Sequence, residues 1–276
     1  MQNLTVTIIQ TPLHWESIDQ NLEMFSIKLA QITEQTNLIV LPEMFTTGFS
    51  MNSEKLAEGM EGKSMQWIAE KAKEKNCVIT GSLIIKENGY YYNRLIWMRS
   101  DGTYEAYDKR HLFRFANEND HYSAGEKRLI VDLNGWKICP LICYDLRFPV
   151  WSRNVDLIPQ LPHLKTKEEE QRRSAYDCLL YIANWPEPRR TAWQTLLQAR
   201  AHENQCYVIG VNRIGKDGNG ISYSGDSAVI DAKGNVISKT KTCEESIETV
   251  ELNWRKLEDF RKKFPVGLDA DEFELK

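Results

Sequence analysis

The strongest constraint on this chain is a set of short apolar runs, each closed by polar residues. LeuIleValLeuPro leads into Glu43, IleCysProLeuIle into Cys143, LeuLeuTyrIleAla into Asn184 and Trp185, and TyrValIleGlyVal into Asn212 and Arg213. Such brief runs, rich in branched apolar residues, read as buried strands. Leu38 to Leu41, stopped by Pro42, is one; Val78 to Ile85, Leu95 to Met98, Ile138 to Ile142, Leu179 to Ala183 and Tyr207 to Val211 are others. Leu4, Val6 and Ile8 alternate as in an edge or half-buried strand. Helical stretches lie between: Ile18, Leu22, Phe25, Leu29 and Ile32 form one buried stripe, opened by a capping box of Ser17 and Gln20, and Ser64 to Lys75 and Thr191 to Asn204 are further helices. Strands alternating with helices predict an α/β fold around a packed sheet. Ligands of such sheets gather beyond the carboxyl ends of the strands, so the four polar endings are expected to share one crevice.

Composition narrows the function class. The 276 residues carry a net charge of -4 with acidic and basic side chains interleaved, which leaves no electrostatic footprint for nucleic acid. The opening MetGlnAsnLeuThrValThrIleIleGln lacks a signal pattern, and no apolar run approaches the roughly 20 residues of a membrane span. A soluble cytoplasmic protein acting on a small molecule is expected. The six cysteines, at 77, 139, 143, 178, 206 and 243, form neither a CxxC pair nor a dense disulfide pattern, which suits a reducing compartment. No cluster of cysteine, histidine and carboxylate shows metal-ligand spacing. Residues 155–173, with Pro159, Pro162 and the charged run at 165–173, break the compact pattern. They read as a solvated surface insert, with a lid or partner contact as the alternative.

Cys143 stands where a strand gives way to TyrAspLeuArgPhePro, a sharp exit able to lift its sulfur above the sheet. The competing reading is a core thiol, which is assigned to Cys77, Cys139, Cys178 and Cys206; Cys243 reads as exposed or edge material. A cysteine nucleophile needs a base or a positive neighbour. Glu43, following a buried strand, is partly desolvated on this reading and suited to take the proton; an ordinary surface or capping glutamate is the alternative. Lys109, in TyrAspLysArgHisLeuPhe, is either a fixed ammonium beside the sulfur or a solvated charge.

Taken together, LeuProGluMetPhe at 41–45, AspLysArgHisLeuPhe at 108–113 and CysTyrAspLeuArgPhePro at 143–149 resemble the three signature segments of the nitrilase superfamily. AlaAsnTrpPro at 183–186, GlnAlaArgAlaHisGluAsn at 198–204, ValAsnArg at 211–213 and TyrSerGlyAspSer at 223–227 extend the likeness to about residue 255. Within the superfamily the chain is most similar to the omega-amidases, which hydrolyse the terminal amide of 2-oxoglutaramate and related dicarboxylic monoamides. The resemblance implies a four-layer α-β-β-α sandwich paired into homodimers, with a hydrolase domain over 1–255 and a tail, 256–276, at a dimer interface. It places the catalytic glutamate, lysine and cysteine on Glu43, Lys109 and Cys143. The second glutamate, which supports the lysine, falls on Glu118, with Asp120 as the other candidate.

The chemistry so implied is acyl transfer through a Cys143 thioester, with Glu43 relaying protons and Lys109 and the backbone N–H of Tyr144 holding the oxyanion. It needs no metal or organic cofactor. Arg147 or Arg213 is expected to clamp a substrate carboxylate, and Phe45, Phe113 and Trp185 to line an apolar wall. For Arg147 a structural salt bridge with Asp145 is the alternative. Three other readings compete: hydrolysis of a nitrile, an N-carbamoyl amino acid or deaminated glutathione; a catalytically idle binding module; and a papain-type pair of Cys143 with His111 or His202.

Overall fold

The computed structural model describes residues 1–154 and 174–271, so the predicted insert at 155–173 lies outside the described residues. The first strands and helices are β1 (Leu4–Gln10), α1 (Ile18–Ala30), β2 (Leu38–Val40), α2 (Ser53–Leu56), α3 (Lys63–Lys75), β3 (Val78–Glu87), β4 (Tyr90–Met98), β5 (Tyr104–Asp108) and α4 (Glu118–His121). They are followed by β6 (Val131–Leu133), β7 (Trp136–Ile142), β8 (Cys178–Ala183), α5 (Arg190–Asn204), β9 (Tyr207–Asn212), β10 (Ile214–Lys216), β11 (Ser222–Ser224), β12 (Ala228–Ile230), β13 (Ser246–Leu252) and α6 (Trp254–Lys263).

The strands form two main sheets rather than one. A six-stranded sheet has the order β13-β1-β2-β3-β4-β5 and a five-stranded sheet the order β12-β9-β8-β7-β6, while β10 and β11 form a separate ribbon. Each main sheet has a parallel centre, β1 with β2 and β3 in the first and β7 with β8 and β9 in the second, flanked by antiparallel strands.

The alternation of side chains explains the layers. Leu4, Val6 and Ile8 of β1, Leu38 and Val40 of β2, and Leu95 and Trp97 of β4 join one core with Ile138, Ile142, Leu180 and Ile182 of the other sheet. Their neighbours Ile9, Ile39, Ile79, Ile96 and Met98 point the other way, into a core with Leu22, Phe25 and Leu29 of α1 and Met65, Ile68 and Ala72 of α3. On the far side, Trp193, Leu197 and Ala201 of α5 pack on the second sheet. The result is the predicted α-β-β-α sandwich: period 2 in the strands supplies two faces, and each face finds a helix layer or the other sheet.

Two local expectations are corrected. β1 is an interior strand, hydrogen-bonded to β13 on one side and β2 on the other, because the distant segment Ser246–Leu252 returns to cover what would have been an edge. Ser17 does occupy the cap position of α1, but its side chain makes no capping bond; the turn is closed instead by Asn21, whose amide bonds the carbonyls of His14, Ser17 and Thr46.

Candidate active site

Strand ends assemble the site. β2 runs through Leu41 and Pro42 to Glu43, β5 stops immediately before Lys109, β7 immediately before Cys143 and β8 immediately before Asn184. β5 is antiparallel to β4, which is antiparallel to β3, so β5 runs parallel to β2 and delivers Lys109 at the same end of its sheet.

Glu43, Lys109 and Glu118 are all fully buried. The ammonium of Lys109 donates to Glu43 Oε1 at 2.9 Å and to both carboxylate oxygens of Glu118 at 3.0 Å. Glu43 Oε1 also accepts from Asn93 Nδ2 at 2.8 Å, and its Oε2 accepts from the backbone N–H of Asn184 at 2.8 Å. Glu118 is fixed in turn by the Phe113 backbone N–H. Asp120, the other candidate for the second acid, is exposed and pairs with Asn119.

The electrostatics follow from burying two carboxylates with one ammonium. Burial opposes the charge on Lys109, but Glu118 and Glu43 outweigh it and hold the ammonium firmly protonated. Burial raises the proton affinity of Glu118, with Lys109 opposing and the charge of Glu43 adding to the rise. Cys143 is buried beside these groups, and burial together with the negative charge of Glu43 pushes its thiol well above the ordinary range, against the pull of Lys109. Burial and Glu43 thus favour the thiol over the thiolate at Cys143. Cys143 takes φ +44, a left-handed conformation for a residue with a Cβ, at the start of the 3-10 turn Cys143–Arg147. That strain turns the chain sharply off β7 and leaves the Tyr144 N–H among the first amides of a helical turn, which have no acceptor within it.

The predicted pocket residues divide. Arg147 is exposed and lies 5.2 Å from the Trp185 ring, while Asp145 is engaged elsewhere, so the alternative ion pair between them is absent. Trp185 is anchored by its indole N–H to the Arg189 carbonyl at 2.8 Å. Phe113 is half-buried, edge-on to Tyr144 at 5.0 Å. Phe45 is not a wall of the site: it is fully buried between β3 and the helix layer, against Phe25 and Trp67, because the turn after Glu43 sends alternate side chains to opposite faces. Nor does Arg213 offer a free fork. Its Nε and Nη2 donate to the carbonyls of Ile214, Leu13 and Lys216, and its guanidinium covers the Tyr223 ring at 4.8 Å, which leaves only Nη1 unengaged.

Among the described residues neither His111 nor His202 is hydrogen-bonded to Cys143. His111 Nδ1 is 2.8 Å from Asp145 and its ring is stacked on Phe148, while His202 is exposed. Cys77, Cys139, Cys178 and Cys206 are buried and Cys243 is exposed, as expected. The sequence reading missed Asn93, which sits inside β4 in an ordinary strand pattern and gives no local signal. It also missed Arg189, whose guanidinium lies over Phe113 at 5.3 Å, and Asp145 as a buried acceptor.

Two facing sheets with a buried Glu–Lys–Glu cluster and a left-handed cysteine at their strand ends define the nitrilase-like hydrolases. The chain belongs to the carbon-nitrogen hydrolase family, whose model matches residues 5–262 and so extends past 255 into α6. It is a hydrolase acting on amides. The omega-amidase YafV of Escherichia coli (strain K12) is 44% identical over 275 residues, 100% of each chain. The 2-oxoglutaramate amidase of Bacillus subtilis (strain 168) is 30% identical over 95% of each chain. A crystal structure of a CN-hydrolase superfamily protein from Xanthomonas campestris, with an arsenic adduct in the active site, is 40% identical, covers 100% of each chain and superposes with a TM-score of 0.93.

Proposed function

We propose that the protein is an omega-amidase that hydrolyses the terminal amide of a small dicarboxylic monoamide such as 2-oxoglutaramate, with Cys143 as nucleophile. The observation that carries this reading is the buried cluster in which one ammonium, Lys109, is shared by Glu43 and Glu118 beside Cys143. The relatives named as omega-amidase and 2-oxoglutaramate amidase support the substrate class.

The proton of the Cys143 thiol leaves as the sulfur attacks: Glu43 takes it while the S–C bond forms and the amide oxygen becomes an oxyanion. Lys109 and the Tyr144 N–H hold that oxygen, and loss of one such donor costs about 100-fold to 1000-fold in rate. Collapse breaks the C–N bond, and the proton on Glu43 goes to the departing ammonia. Water then attacks the thioester, giving its proton to Glu43; the C–S bond breaks and the proton returns to sulfur. Glu118 acts through Lys109, keeping it charged and aimed. Arg147, seated on Trp185, is assigned to the far carboxylate of the substrate. The family resemblance adds a homodimer in the cytoplasm, a compartment that suits six free cysteines. Among the described residues no helix is long and apolar enough to cross a membrane.

The test is ammonia release from 2-oxoglutaramate, succinamate, glutamine and a simple nitrile, with Cys143→Ala as the blank. Release confined to the two dicarboxylic monoamides and lost in the blank is expected. Equal turnover of the nitrile, or none of either monoamide, overturns the substrate assignment.

A further inference from the structure

Asp145 is a fully buried carboxylate that the mechanism above does not use. Its Oδ2 accepts the Tyr107 hydroxyl at 2.7 Å and the Ile142 N–H at 3.0 Å. Its Oδ1 accepts the His111 N–H at 3.0 Å and faces His111 Nδ1 at 2.8 Å. A carboxylate only accepts, so the ring nitrogen donates as well. The Tyr107 oxygen in turn accepts the Arg110 N–H at 3.2 Å and the Trp151 indole N–H at 3.0 Å.

The placement of these partners is the point. Tyr107 and His111 bracket Lys109, and Ile142 and Asp145 bracket Cys143, so one carboxylate joins the Tyr107 hydroxyl and the His111 backbone around Lys109 to the Ile142 backbone before Cys143. The two belong to different sheets, Lys109 following β5 of the six-stranded sheet and Cys143 following β7 of the five-stranded sheet. The bond to the Ile142 N–H also closes the turn in which Cys143 is held at φ +44. A non-glycine residue stays in that region only where its surroundings over-determine it.

We infer that Asp145 is a positioning residue: it fixes the Lys109 ammonium and the Cys143 sulfur at the separation the tetrahedral intermediate needs, acting across the sheet–sheet seam. This rests on the assignment of Cys143 and Lys109 to catalysis. Four donors converge on the carboxylate, so an asparagine of the same shape would turn its NH2 toward a donor and break the junction on one side. A displacement of about 1 Å at a reacting centre costs on the order of 100-fold in rate.

The experiment measures kcat and KM for 2-oxoglutaramate and the thermal midpoint for Asp145→Asn and Tyr107→Phe. Tyr107→Phe removes one donor and keeps the ring, so it decides the matter if Asp145→Asn does not fold. The expected result is a kcat lowered about 10-fold to 100-fold in Asp145→Asn and several-fold in Tyr107→Phe, with KM within about twofold of the parent. Parental kcat in a folded variant whose midpoint alone has dropped makes the network merely structural and overturns the inference. A raised KM with unchanged kcat overturns it too, by assigning the network to binding. Cys143→Ala serves as the separate check: residual full activity there defeats the catalytic assignment itself, whereas a dead Cys143→Ala beside a fully active Tyr107→Phe and Asp145→Asn defeats only the role of Asp145.

Discussion

Lys109 is the residue on which the buried charges balance. Lys109→Met, close in shape, would leave Glu43 and Glu118 fully buried without their shared cation. Removing one partner of a buried ion pair costs about 3–5 kcal/mol, so a loss of that size in urea unfolding at neutral pH is expected. The sign of its pH dependence follows from linkage. Without the ammonium, buried Glu118 binds its proton more tightly folded than unfolded, so the variant regains stability as pH falls through its raised folded pKa. A deficit in Lys109→Met that does not shrink on acidification would contradict this account. Residue by residue, the sequence marked Glu43 and Cys143 because each follows a buried apolar run, and Lys109 by its aromatic and apolar neighbours, whereas Glu118 was named only through the family resemblance. It could not separate Phe45 from Phe113, since which aromatic faces the site depends on the direction of a turn.

At the scale of elements, the crossings between strand ends carry the geometry. The loop after β11 is held by Gln10 of β1, whose Oε1 accepts the Ser227 N–H at 2.9 Å and whose Nε2 donates to the Lys241 and Glu244 carbonyls at 2.8 and 2.9 Å. Gly225 in that loop has φ +75, and a Cβ there would stand 2.2 Å from Gln10 Oε1. Gly225→Ala therefore meets both a backbone penalty and a clash. A loss of roughly 2–3 kcal/mol and a thermal midpoint lower by about 5 °C or more are expected by calorimetry. An unchanged midpoint would show that the loop relaxes freely. Asn212, read from sequence as a site residue, instead splices elements: its amide bonds the Trp185 and Gly225 carbonyls at 3.0 and 2.8 Å. The strongly apolar strands were legible, whereas β5, β10, β11 and β13 were not, because their exposed or ribbon positions carry polar side chains that resemble loops.

For the whole molecule, the proposed homodimer is open to direct measurement. Light scattering across a range of concentrations should give twice the 32.1 kDa chain mass, and a species of 32.1 kDa at every concentration would refute it. Phe264 and Leu268, on the C-terminal segment expected at the interface, are 61% and 44% exposed in the single chain, which makes them the first positions to probe.

The sequence by itself determined which segments are buried strands and which chemical groups close them: a short apolar run is buried, and a polar residue after it is set at a strand end. Only the tertiary structure decided which of those groups meet. Glu43 reaches Asn93, Lys109 and Asn184 across 50, 66 and 141 residues of chain, and Asp145 reaches Tyr107 across 38. Hydrophobic pattern carries no information about such pairings, because they are fixed by how two sheets, each satisfied in its own backbone bonds, slide into register face to face.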